Sequence, residues 1–139
     1  MSLSPAAAKS LAKWRDMVAK RDLTGLEAIV AEDAIFRSPV AYPPYPGRAA
    51  VCLVLRTAES VFEDFVYHRE FVCGPDSVAL EFSARVGDKK LKAMDIIRFN
   101  AAGLIQEFEV MVRPATGLMA LGAAMQAKLG AAAAKLKGG

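Results

Sequence analysis

Asp95 is the residue whose placement most needs a chemical explanation. It lies in Ala93-Met94-Asp95-Ile96-Ile97-Arg98-Phe99, a run rich in β-branched and aromatic side chains that reads as a strand. With a period of two, Ala93, Asp95, Ile97 and Phe99 share one face. No basic residue shares that face between Leu91 and Phe99. A lone carboxyl among Ala, Ile and Phe either escapes to solvent through an irregularity or sits in an apolar pocket. A pocket disfavours the charged form, raises the pKa and makes the group useful as a general acid or base. Asp95 is therefore the candidate catalytic residue.

Other chemistry-bearing residues are sparser. His68 stands between Tyr67 and Arg69 without a second ligand at metal spacing, and reads as an exposed or edge histidine. Cys52 and Cys73 fit no metal-ligand or nucleophile motif and are expected to be buried thiols. Arg37 and Arg48 are expected to pair with carboxylates. No Gly-rich phosphate loop and no catalytic triad is visible. Neither a metal nor a cofactor is expected.

The elements that must position Asp95 follow from periodicity. Ser4-Pro5 caps and opens a helix whose buried stripe is Leu11, Trp14 and Val18. Thr24-Gly25-Leu26-Glu27 reads as a capping box for a short second helix with Leu26, Ile29 and Val30 facing the core. Residues 33–38 read as a short strand stopped by Pro39. The loop 39–47 carries four prolines with Tyr42 and Tyr45, and such a loop folds over a pocket mouth or packs as a rigid connector. A helical period covers 48–62. Period-two segments follow at 65–73, 77–86, 90–99 and 104–113, with short turns between them, which implies an antiparallel meander. Its second face mixes charges with Met94, Ile96 and Met111. Leu118, Leu121, Met125 and Leu129 place an amphipathic helix over about 118–137, weakened by Gly122 and Gly130 and frayed near Lys135 to Gly139. It is expected to be the least stable element and to cover the pocket mouth or a partner subunit. Helices followed by a run of strands indicate an α+β class.

Composition sets the limits. Residues 1–139 form a single domain in which hydrophobic residues make up 54% and charged residues 24%, enough for a proper core. The net charge is +3, and the surplus is Lys128, Lys135 and Lys137, in a tail without acids. No basic stripe is interleaved with aromatics, so no nucleic-acid partner is expected. No apolar run reaches a membrane span of roughly 18–20 residues, and Met1 to Ala8 lack signal-peptide character, so a cytoplasmic location is expected.

The element order is similar to the nuclear transport factor 2-like fold, a cone in which a curved antiparallel sheet wraps N-terminal helices. Ala31-Glu32-Asp33-Ala34-Ile35-Phe36-Arg37-Ser38-Pro39 and Ile97-Arg98-Phe99-Asn100-Ala101-Ala102-Gly103 resemble SnoaL-like proteins and, more distantly, ketosteroid isomerases. The isomerase resemblance implies a role for three positions. Asp95 matches the neutral aspartic acid that donates a hydrogen bond to a developing enolate. Trp14 stands where those enzymes have a hydrogen-bonding tyrosine, eight residues before an Asp-Leu-x-Gly phrase. Ser38 stands where their base, an Asp before Pro, would be. Two of three roles differ, so the resemblance implies the fold and the pocket rather than steroid isomerisation.

Two functions from different classes follow. The first is an enzyme or binding protein for a small, mostly apolar molecule. Its pocket would be walled by Trp14, Phe36, Leu80 and Phe82, and by Phe99, Phe108 and Val110, with Asp95 and Ser38 as polar points. The second is a non-catalytic dimerisation or protein-binding module. In either case a homodimer through the outer sheet face is expected, with Met94, Ile96 and Met111 near its centre.

Overall fold

The computed structural model describes residues 1–136, with side chains as far as residue 130. Helix α1 (Pro5–Lys20) is followed by a single 3-10 turn (Leu26–Ile29), strand β1 (Val30–Arg37), a two-residue strand β2 (Tyr45–Pro46) and helix α2 (Arg48–Val61). The meander is β3 (Glu63–Cys73), β4 (Ser77–Val86), β5 (Lys89–Phe99) and β6 (Ile105–Arg113), and helix α3 (Ala115–Leu136) closes the chain. The six strands form one curved sheet in the order β2-β1-β6-β5-β4-β3, antiparallel except where β1 lies parallel to β6. This is the expected α+β cone, and its four meander strands fall within two residues of the periodic segments.

Alternation decides which face is wet. Along β5, Leu91, Ala93, Asp95, Ile97 and Phe99 are all buried, while Lys92 and Arg98 between them are exposed. The inner face packs on α1, the 3-10 turn and α2 through Leu11, Trp14, Leu26, Ile29, Val51 and Leu55. Burial of this set is the main stabilising term. The outer face carries ion pairs, including Arg69 and Lys92 on Glu81 and Arg37 on Glu107.

Several local expectations are corrected. The capping box does not form. Asp22 Oδ1 accepts from both the backbone N–H and the hydroxyl of Thr24, so a turn consumes the would-be cap and only the 3-10 turn follows. Val30 is then already strand, and β1 begins three residues before position 33. Arg48 donates to the Val30 carbonyl rather than to a carboxylate, whereas Arg37 does pair with Glu107 at 2.5 Å. Cys52 is buried but Cys73 is exposed, because the end of β3 lies at the open edge of the sheet. Helix α3 breaks at Gly130, whose φ of 49° and ψ of −140° are not helical. The expected fraying over Lys135 to Gly139 falls largely outside the described residues.

The hairpin after Asp95 is locked from beneath. Gly103 has φ +82°, and a Cβ there would lie 2.5 Å from backbone and side-chain atoms of Ala6 in α1. Only glycine allows both the turn and this approach of α1 to the sheet. Gly103→Ala is expected to destabilise the protein by at least about 2 kcal/mol, read as a lower midpoint with unchanged slope in chemical denaturation. A change within about 0.5 kcal/mol would show that α1 does not depend on this contact.

Candidate functional site

The sheet curves over a cavity of about 120 Å³ whose lining comes from every layer of the fold. Trp14 is delivered by α1, Phe36 and Ser38 by β1 and its exit, and Phe62 by the end of α2. Tyr67, Phe82, Asp95, Phe108 and Val110 come from the meander. Leu121, Gly122, Met125 and Leu129 of α3 close the far side. The α3 stripe thus covers the cavity.

Asp95 is 5% exposed. Register sets it between Leu80 on β4 and Val110 on β6. Its Oδ2 accepts a 2.6 Å hydrogen bond from the Tyr67 hydroxyl, and that oxygen in turn accepts from Trp14 Nε1 at 2.9 Å. The chain of donors therefore runs from Trp14 to Tyr67 to Asp95. Tyr67 is held in place by rings. Phe65 and Phe82 meet it edge-on at centroid distances of 4.8 and 6.0 Å, and the Arg15 guanidinium lies 5.2 Å from its centroid. Asp95 Oδ1 takes no hydrogen bond from the described residues. No buried side-chain oxygen is left without a partner among them, so Oδ1 opens onto the cavity.

Electrostatics follow from this geometry. Burial raises the Asp95 pKa from 3.8 to about 7, only partly opposed by the Tyr67 hydrogen bond. Burial, followed by the Asp95 charge, pushes the Tyr67 hydroxyl well above its ordinary range. The proton between them stays on Tyr67. The titrating proton belongs to Asp95 and resides on Oδ1, facing the cavity. The group can donate there when protonated and accept when ionised, and near neutral pH both forms are populated.

The structure brings together Asp95, Trp14, Phe36, Ser38, Phe82, Phe108 and Val110 on one cavity. Leu80 and Phe99 are not on its wall. They are 0% and 2% exposed within the main core. Ser38 Oγ accepts from the Val40 N–H. The second acid on the lining is Glu59, 3.5 Å from Arg21 at the partly exposed rim. Trp14 reaches Asp95 through Tyr67 rather than directly. Tyr67 is the residue that sequence reasoning missed. Phe65-x-Tyr67 is a period-two aromatic pair that points inward, and it was the signal in the sequence, while His68, the next residue, lies on the other face. His68 lies exposed, with its ring Nε2 2.8 Å from Ser83 Oγ. Among the described residues, no three His, Cys, Asp or Glu side chains converge as a metal site. No helix there is long and apolar enough to cross a membrane.

The folded state holds a proton on Asp95 that the unfolded chain releases, so stability should fall as pH rises from about 4 to about 7 and then level off. The span from 3.8 to about 7 corresponds to roughly 4 kcal/mol at full ionisation. Asp95→Asn should abolish this slope, and the difference between the two denaturation series isolates Asp95 from the carboxylates of the outer face. Tyr67→Phe removes the bond that favours the charged form and should raise the Asp95 pKa further in carboxyl-carbon NMR. An unchanged or lowered value would contradict the assigned geometry.

The family model of the SnoaL-like domain matches residues 11–108. A steroid delta-isomerase from Pseudomonas aeruginosa is 50% identical, with a TM-score of 0.91 over 95% of this chain and 97% of that one. A bacterial protein with a cystatin-like fold from Silicibacter pomeroyi is 37% identical, with a TM-score of 0.84 over 92% of each chain. The epoxide hydrolase/cyclase-like enzyme SalBIII, with a role in pyran ring formation in the polyether salinomycin, shares the fold at 18% identity, with a TM-score of 0.64 over 80% of this chain and 92% of that one. No curated protein matches the sequence. The matched domain, the cone of six strands and the two relatives above one-third identity lead to one assignment: the chain belongs to the SnoaL-like family, within the nuclear transport factor 2-like fold.

Proposed function

We propose that the protein binds a small, mostly apolar molecule carrying a hydrogen-bonding oxygen, and that Asp95 exchanges a proton with it as general acid or base. The observation that carries this reading is Asp95 Oδ1, an unpaired carboxyl oxygen on a mostly apolar cavity wall. Aromatic and aliphatic side chains supply the binding energy, and one polar point fixes orientation. Trp14 and Tyr67 act as positioning residues, since they hold Oδ2 and leave Oδ1 for the ligand. The description of the Pseudomonas aeruginosa relative as a steroid delta-isomerase supports an apolar ligand and acid–base chemistry. Ser38 is no substitute for a carboxylate base near neutral pH, so the proposed chemistry places a single proton transfer on Asp95 rather than a shuttle between two acids.

Native mass spectrometry of freshly purified protein is expected to reveal a co-purified small molecule that is lost on denaturation. With that molecule as substrate, Asp95→Asn should lower turnover by about 10²–10⁴-fold with binding largely kept. Turnover unaffected by the substitution would remove the catalytic role of Asp95.

The outer face favours self-association alongside this function. Met111 is 52% exposed, and it lies with Met94, Ala93 and Val112 in a groove bordered by Glu81, Lys92 and Arg113. Apolar centres with rims of both signs suit a two-fold contact. The proposed homodimer should appear in sedimentation at micromolar concentration, and Met111→Glu should shift it to monomer. A wild-type monomer under those conditions would exclude it.

A further inference from the structure

Asp95 lies at the buried end of the cavity. The other end is open, and three polar side chains stand on its rim: Arg21, Glu59 and Gln126. Arg21 and Gln126 are exposed and Glu59 is half-buried. Each comes from a different helix. Arg21 ends α1, Glu59 lies in the last turn of α2, and Gln126 stands midway along α3.

Arg21 is committed on one side only. It adopts φ 52° and ψ 44° at the C-cap of α1, a left-handed conformation that non-glycine residues rarely take. Its Nη2 donates to the Glu59 and Phe62 carbonyls at 3.0 and 3.3 Å, among those that α2 leaves unpaired at its C-terminus. Its Nε lies 3.5 Å from Glu59 Oε1. Nη1 carries two further hydrogens and has no acceptor among the described residues. The Gln126 amide has no hydrogen-bond partner among them either. Lys128 is occupied elsewhere. Its Nζ donates to Ser60 Oγ at 3.1 Å, an exposed contact and the one side-chain hydrogen bond from α3 to α2 among the described residues. Between the rim and Asp95 the walls are apolar. Phe62, Phe65 and Phe82 pack ring on ring along one side. An apolar group at the rim would take water from Arg21 and Gln126 and replace none of its bonds, which costs binding free energy. A carboxylate there would gain Arg21 but meet Glu59. A hydroxyl both donates and accepts. It matches a rim with N–H donors on Arg21 and Gln126 and acceptors on Glu59 and Gln126.

We propose that Arg21 and Gln126 are specificity-determining residues, which select an apolar molecule with an uncharged hydroxyl at its outer end. This rests on the reading of the cavity as a ligand site with Asp95 as its inner polar point. It adds a second point of recognition at the mouth.

Calorimetric titration with two pairs of rigid phenols tests it: 2-naphthol against naphthalene-2,6-diol, and 4-phenylphenol against 4,4′-biphenol. Within a pair the ring system and the inner hydroxyl are the same, and the two ring systems differ in length. In at least one pair the diol is expected to bind about tenfold tighter, the worth of one hydrogen bond to a charged group and more than the symmetry of the diol supplies. Gln126→Leu and Arg21→Met should each remove most of that advantage and leave the one-hydroxyl member within about twofold. Gln126 is exposed and caps no helix, so its variant decides the matter if Arg21→Met fails to fold. Asp95→Asn should weaken both members of a pair alike. A carboxylate in place of the outer hydroxyl, in 6-hydroxy-2-naphthoic acid, should lose the advantage. With the one-hydroxyl phenols bound, three results would each overturn the proposal and leave the cavity as a ligand site. These are no diol advantage in either pair, an advantage that Gln126→Leu leaves intact, and tighter binding of the carboxylate. If none of the phenols binds, the ligand-site reading falls and the rim assignment falls with it.

Discussion

The structure turns on the removal of one carboxyl group from water. Desolvating Asp95 opposes its ionisation, and the sheet offers a single hydroxyl in partial compensation. That hydroxyl must come from β3, two strands away, because the neighbours of Asp95 across β4 and β6 are Leu80 and Val110. Tyr67 can reach only if the sheet curves and if its ring is held upright by Phe65 and Phe82. The helix α1 must in turn lie where Trp14 can satisfy the Tyr67 oxygen. The close approach of Gly103 to Ala6 keeps α1 in that place. Fold geometry and the state of the acid are thus one constraint.

Glu81 provides the contrast within the same sheet. Asp95 and Glu81 are each 5% exposed, on adjacent strands. Glu81 faces outward, where Arg69 holds it bidentately and Lys92 lies 3.1 Å away, and its pKa falls to about 2. Asp95 faces inward, meets no cation and rises to about 7. Equal exposure gives opposite protonation because Asp95 lies deep among apolar side chains, where desolvation dominates, whereas Glu81 lies near the surface beneath the two cations that pair with it. Two carboxylates pushed apart in this way mark the outer one as structural and the inner one as available for chemistry.

Much of this was legible in the sequence because period-two alternation is a direct record of which face is buried. The run from Leu91 to Phe99 gave both the strand and the isolation of Asp95. The trio of Tyr67, Trp14 and Asp95 was not legible, since it joins residues 53 and 28 positions apart through a bulge in β3 between Tyr67 and Glu70. Pairing register across such a bulge is set by tertiary packing rather than by pattern. Leu80 and Phe99 were misplaced for a related reason. Alternation tells inside from outside but cannot tell a cavity wall from solid core, which depends on curvature. At Thr24 the local pattern fitted a capping box, but Asp22 competed successfully for the same hydroxyl and N–H.

The indole at position 14 settles the direction of the hydrogen-bond chain. A hydroxyl there could donate or accept, and Tyr67 could then turn its own proton toward α1 and leave Asp95 unsupported. Indole N–H can only donate. With Trp14 donating, the Tyr67 proton is committed to Asp95 Oδ2, and Oδ2 is always an acceptor. Any proton that Asp95 takes up must reside on Oδ1, the oxygen that faces the cavity. Trp14 therefore does more than fill space beside Phe108, whose ring centroid lies 5.2 Å away. It removes one of the two arrangements open to a hydroxyl chain and leaves the acid with a single proton position, aimed at whatever occupies the pocket.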